Sequence, residues 1–181
     1  GGGGANTIQA FAANSTIAGG TNNSVAASYA VVSGGLRNKV NSSANFATIG
    51  GGGDNGIGVS ALEATIAGGG DNVIGFNAQF STIGGGLINA IGDVSQRATI
   101  AGGSDNLIQS NSIAATIGGG YKNVIRSNAY TATIPGGAQN EAAGDFAFQP
   151  DEHEGANGDQ IDDQADVHQR GDEVRQPGRN V

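Results

Sequence analysis

Cysteine, methionine and tryptophan are absent from this chain, proline occurs three times, and aromatic residues make up only 5% of it. Without cysteine there is neither a disulfide framework nor a thiolate metal site. With so few rings a broad aromatic core is excluded, and any interior has to be thin and aliphatic. Basic residues are scarce as well: eight Lys and Arg stand against 16 Asp and Glu, a formal charge of −8. That balance argues against nucleic-acid binding, which needs a basic face. No apolar run approaches the ~18 residues that cross a bilayer, and no signal peptide is visible, so direct membrane insertion is not expected. The missing methionine, and a glycine-rich start at 1–4 that fits the middle of a repeat, lead us to expect a processed product or a fragment.

What the chain has in excess is glycine, 34 of 181 residues, without the triplet period of a collagen and too often for long helices. The glycines belong to a 17-residue echo. Thr48-Ile49-Gly50-Gly51-Gly52 returns at Thr65-Ile66, Thr82-Ile83, Thr99-Ile100, Thr116-Ile117 and Thr133-Ile134, each followed by a Gly-, Ala- or Pro-Gly-Gly run. Six residues after each of these isoleucines stands an asparagine: Asn55, Asn72, Asn89, Asn106, Asn123 and Asn140. A regular period this short means one supersecondary unit stacked on itself.

Within a unit, strand alternation turns Ala47 and Ile49 inward and Thr48 outward. The glycines permit a tight corner. Asn55 and Ile57 then share the inward side of a second short strand, with Gly56 outward between them. The expected core ladder is Ile49, Ile57, Ile66, Ile74, Ile83, Ile91, Ile100, Ile108, Ile117, Ile125 and Ile134. Two aliphatics and an alanine per coil are too little to stand alone, so stability has to come from stacking. At one coil spacing of ~4.8 Å, equal asparagine amides donate and accept along the axis, which satisfies a polar group beside an apolar column. Thr48, Thr65, Thr82, Thr99, Thr116 and Thr133 form an outward rank. A helix fails as an alternative, because the inward spacings do not follow i, i+3, i+4, i+7 and glycines interrupt every segment.

Earlier coils are less regular: Thr16-Ile17 leads to Asn23, and Val31-Val32, 15 residues later, leads to Asn38. The variation falls in the loose Ser-, Asn- and Ala-rich return. Asparagines from Asn6 to Asn140 number nine coils, a rod of roughly 40 Å. The fold expected is therefore all-β, a parallel β-solenoid or β-roll over 1–148, followed at 149–181 by an acidic tail of low hydrophobicity. Through Gln149 there are seven acids against five bases, and beyond it nine against three. The tail has too few apolar residues to offset its ordering entropy and is expected to be disordered or loosely packed. Phe146, Ala147 and Phe148 are expected to cap the last coil.

The units Thr48 to Ile57, Thr82 to Ile91 and Thr116 to Ile125, each Thr-Ile-Gly-Gly-Gly-x-x-Asn-x-Ile, resemble the head repeats of YadA-like trimeric autotransporter adhesins and related phage tail-fibre repeats. The likeness covers residues 1 to about 148, with a period longer than the usual head coil. The resemblance implies a left-handed parallel β-roll, three chains about a long axis, and an extracellular binding role.

Few residues invite chemistry. His153 and His168 lie among carboxylates in the tail, but nothing holds them as metal ligands, and a solvated acidic stretch is the plainer reading. Asp54, Asp71 and Asp105 follow the glycine corner without the periodic G-G-x-G-x-D calcium nonapeptide, so they read as turn residues. No helix follows the glycines to make a phosphate site, and no paired carboxylates recur for glycoside hydrolysis. No catalytic, cofactor-binding or metal residue is expected. The function expected is a non-enzymatic structural or adhesive fibre at a cell surface, outside the cell or on a virion. It self-associates as a homotrimer or filament and presents a repeated surface to a host, matrix or glycan receptor. Phe46, Val59, Leu62, Phe76 and Phe80 are its candidate interface. The alternatives are an ice-binding protein using the threonine rank, and a phage tail-fibre receptor-binding or polysaccharide-binding module.

Overall fold

The computed structural model describes residues 3–150. Among them there are no helices; the chain winds as a parallel β-solenoid of two-residue strands, crossing between two sheets in every coil. The first sheet stacks nine strands: Thr7–Ile8, Ser24–Val25, Lys39–Val40, Gly56–Ile57, Val73–Ile74, Ala90–Ile91, Leu107–Ile108, Val124–Ile125 and Glu141–Ala142. The second stacks eight: Thr16–Ile17, Val31–Val32, Thr48–Ile49, Thr65–Ile66, Thr82–Ile83, Thr99–Ile100, Thr116–Ile117 and Thr133–Ile134. The nine strands of the first sheet enclose about eight turns, so counting asparagines numbers strands, one more than the turns. Eight steps at strand spacing give a rod ~38 Å long.

The strands are short because bends crowd them. At the corner Gly51 and Gly52 take φ of 138° and 81°, and a Cβ on Gly52 would lie 1.9 Å from the Gly69 carbonyl oxygen of the next coil. Only glycine lets the coils approach so closely there. Asp54 (φ 57°) follows, and the return adds Ser60 (φ 60°) and Glu63 (φ 55°), three non-glycine residues in the left-handed region per full coil. Their N–H groups point backwards, Asp54 donating to the Leu36 carbonyl (2.8 Å) and Glu63 to that of Asn45 (2.9 Å). Strand N–H groups such as that of Thr48 donate forwards, to Ala64 at 2.9 Å. Each interior coil is thereby tied to both neighbours.

All eleven expected isoleucines are fully buried, and Ala47, Ala64, Ala98, Ala115 and Ala132 stack beside them. Each buried isoleucine contributes ~1.5–3 kcal/mol, but only because the coils above and below cover it. The structure adds an inward column not foreseen: Ala44, Ala61, Ala78 and Ala129, with Ser95 and Ser112 in the same file. The buried serines are satisfied along the axis. Ser95 Oγ donates to the Gln109 carbonyl (2.9 Å) and accepts the Ser112 N–H (3.1 Å).

Irregularity sits where the sequence placed it, in the return. Between Ser24–Val25 and Val31–Val32 the return is residues 26–30, against 41–47 in the next coil, and what is lost is the first of its two bends. A second short return, residues 143–147, leads to Phe148, which pairs with Thr133. Here the expected cap forms only in part: the backbone at 147–149 pairs with Thr133, but the phenylalanines do not cover the core. Only Ala147 packs against the core; Phe146 and Phe148 are 77% and 62% exposed. The reason is parity: Phe148 pairs in register with the outward Thr133, and Phe146 falls on the outer bend shared with Phe46 and Phe80. The acidic tail from 151 onward, with His153 and His168, lies outside the described residues.

Candidate binding face

The inward asparagines build the frame on which both outer faces rest. Asn55 is buried; its Nδ2 donates to the carbonyls of Gly51 in its own coil and Gly69 in the next, each at 3.0 Å, and to Asn38 Oδ1 at 3.0 Å. Its Oδ1 accepts the backbone N–H of Asn72 at 3.1 Å. Asn72, Asn89, Asn106 and Asn123 likewise donate to two glycine carbonyls and accept the next asparagine's N–H. Asn140, half-buried in the last coil, donates to Gly136 at 2.9 Å. Amide-to-amide bonds link Asn55 to Asn38, Asn72 to Asn55, Asn106 to Asn89 and Asn123 to Asn106, while Asn89 and Asn140 reach the preceding Oδ1 through their backbone N–H; the same amides staple the glycine corner. No buried side-chain nitrogen or oxygen among the described residues lacks a partner.

On the second sheet the threonine rank is in strict register: Thr48 pairs with Thr65, Thr65 with Thr82, and so on through Thr99 and Thr116 to Thr133. The six side chains are half-buried because each is flanked by its neighbours one coil away. Two residues on, the outward row is Gly50, Ala67, Gly84, Ala101, Gly118 and Pro135, so the rank stands above a nearly featureless strip. No charged residue belongs to the rank. It continues through Val31 to Thr16.

Along the bend beside it run the exposed Tyr29, Phe46 and Phe80. Tyr29 and Phe46 stack with ring centroids 4.9 Å apart and 7° between planes, and the Arg97 guanidinium lies 6.0 Å from the Phe80 ring centre. Of the expected interface residues, Phe46, Val59, Phe76 and Phe80 are exposed and Leu62 is half-buried. They do not form one row: Phe46 and Phe80 are separated by Glu63, and Val59 and Phe76 sit on the other bend of the return.

Of the outward row of the first sheet, the sequence alone singles out only Gly56. The row reads Thr7, Ser24, Lys39, Gly56, Val73, Ala90, Leu107, Val124 and Glu141, again in register. Beside it stand the exposed Leu36, Leu87 and Tyr121. The signal was available, since each member directly follows a ladder asparagine, but no residue type repeats there. Charge on this side is paired lengthwise. Arg37 Nε and Nη2 donate to the two Asp54 oxygens at 2.6 and 2.7 Å, and Arg126 does the same to Glu141 at 2.6 Å twice. These hydrogen bonds hold both carboxyls below their ordinary pKa. Asp54 is thus an ion-pair partner as well as a turn residue, and Asp105 accepts from Ser104 Oγ at 2.9 Å.

Chemically, both faces repeat in register, and among the described residues the first carries an open depression near its last coils, lined by Asp105, Leu107, Lys122, Val124 and Glu141. Among the described residues no three His, Cys, Asp or Glu side chains group to hold a metal, and no helix is long and apolar enough to cross a membrane. No protein-family model matches the chain, and no curated protein matches it.

Proposed function

We propose that this chain is a non-enzymatic, extracellular structural or adhesive module, a rod that self-associates and presents a repeated surface to a matrix, glycan or cell-surface receptor. The observation that carries the reading is the in-register repetition of outward rows over about eight turns. A row that offers the same groups every ~4.8 Å suits many weak, additive contacts to an extended target. The Thr-Ile-Gly-Gly-Gly-x-x-Asn-x-Ile units that resemble YadA-like adhesin heads and phage tail-fibre repeats support the same reading. Deleting one or two whole 17-residue units tests it. Retention on immobilised matrix proteins or glycans should fall stepwise with coil number while the fold is kept. Length-independent retention, or none on any extended surface, would overturn it.

A second reading rests on the threonine rank alone: six threonines in register on a flat strip suit ice binding. Thermal hysteresis of the folded chain decides it, and its absence removes this alternative.

A further inference from the structure

We propose that the outer face of the first sheet is a docking surface for a second copy of this chain, laid antiparallel, with the two-fold axis passing at Ala90. The inference rests on the self-associating rod above and adds the face and the direction. The row on this face is self-complementary when its order is reversed. A two-fold axis parallel to the strands sets each outward row against the same row of the partner with coil order inverted. Counting coils outward from Ala90 in the observed register, Leu107 meets Val73, Val124 meets Gly56, and Glu141 meets Lys39. The apolar centre is thus flanked at each end by Lys39 of one copy and the Glu141–Arg126 pair of the other, and a branched side chain faces a glycine.

The adjoining row follows the same rule. Its register runs through Leu36, Gly53, Gly70, Leu87, Ser104, Tyr121 and Ala138, so inversion about Leu87 sets Tyr121 over Gly53 and Leu36 over Ala138. At the corner, Lys122 meets Asp54. One kind of apposition is unfavourable, Asp71 against Asp105; it occurs twice by symmetry, one coil to either side of Ile88, on the corner row where solvent screens it. Parallel copies about an axis along the rod fare worse, because Lys39 then faces Lys39 and Glu141 faces Glu141.

Exposure and area agree with a covered surface. Val73, Leu87 and Ile88 are 46%, 48% and 50% exposed, a density of large aliphatics that marks interaction sites when contiguous. A face seven strands long covers ~34 Å by about 15 Å, so a pair would bury roughly 1,000 Å2 in total, the lower limit for a specific interface. This predicts a reversible pair.

Charge exchange and cysteine pairing test the proposal on the full 181-residue chain, which contains no native cysteine to confuse the second. Sedimentation equilibrium should show a dimer. Lys39→Glu and Glu141→Lys should each weaken it roughly tenfold, and the double variant should restore it. In a parallel pair neither single variant nor the double one would differ from the parent. Val73→Cys mixed with Leu107→Cys should give a disulfide-linked dimer under mild oxidation, while Val73→Cys alone should not. A Val73→Cys chain that links to itself, a trimer mass, or a monomer at high concentration would each overturn the antiparallel pair. A trimer would leave the self-associating rod standing. A monomer that still binds extended surfaces would leave only its adhesive role.

Discussion

The two outer faces stand on one backbone and differ in what is written on it. The second sheet repeats one residue, threonine, from Thr48 to Thr133. The first carries a graded row, from Lys39 through Gly56, Val73, Ala90, Leu107 and Val124 to Glu141. Both alternate with buried aliphatics, isoleucine in most coils and Val40 and Ala142 beside the charged members of the first row, so burial by itself is not the cause of the difference. In a stacked solenoid the inward columns are held by the coils on either side, whereas outward rows are free to vary. A uniform row has no direction and offers the same contact at every coil. A graded row, with Lys39 toward one end and Glu141 at the other, has a polarity.

Removing the shared frame should abolish the contrast, with the largest effect. Asn89→Leu deletes bonds to the carbonyls of Gly85 and Gly103, both 2.9 Å, and leaves the Asn106 N–H without its acceptor. At ~1–3 kcal/mol for each buried group left unpaired, chemical denaturation should show a loss of about 3 kcal/mol or more, with self-association and surface binding failing together. The two sheets should prove equivalent underneath. Ile83→Ala and Ile91→Ala, one behind each face and both essentially fully buried, should each cost ~2–5 kcal/mol. Urea midpoints that moved for only one of them would show that the sheets are not one cooperative stack.

The faces themselves should separate cleanly. Thr99→Lys and Leu107→Lys should each change stability by no more than about 0.5 kcal/mol, but only Leu107→Lys should shift the sedimentation equilibrium toward monomer. The smallest effect is electrostatic. Asp54 and Glu141 are held below their ordinary pKa by Arg37 and Arg126. Their contribution is therefore complete above the ordinary carboxylate range and is lost as pH falls through the lowered values. Acid titration below about pH 4 should loosen the first-sheet corners while leaving the threonine strip unchanged. Amide exchange can follow both regions, and Arg37→Ala should remove the response near residue 54.

Much of this was legible because period and residue type coincided. Thr48-Ile49 and Asn55-x-Ile57 recur at a fixed offset, and alternation then fixes which side each residue faces. The second inward column was missed for the opposite reason. Ala44, Ala61, Ala78, Ser95, Ser112 and Ala129 each stand four residues before a Thr-Ile pair, but they sit between bends, where strand alternation does not apply. The two terminal phenylalanines misled because hydrophobicity says nothing of parity. A return shortened to residues 143–147 leaves Phe148 in the threonine row, facing water.

The sequence by itself determined the stack: its period, its isoleucine and asparagine columns, and the place of its loops. Repetition at constant spacing leaves a chain of this composition few other ways to bury its aliphatic side chains. Tertiary structure alone decided which outward residues stand side by side, because neighbours on a face lie a whole coil apart in the chain. The order from Lys39 to Glu141 becomes a surface only once the coils are stacked in register.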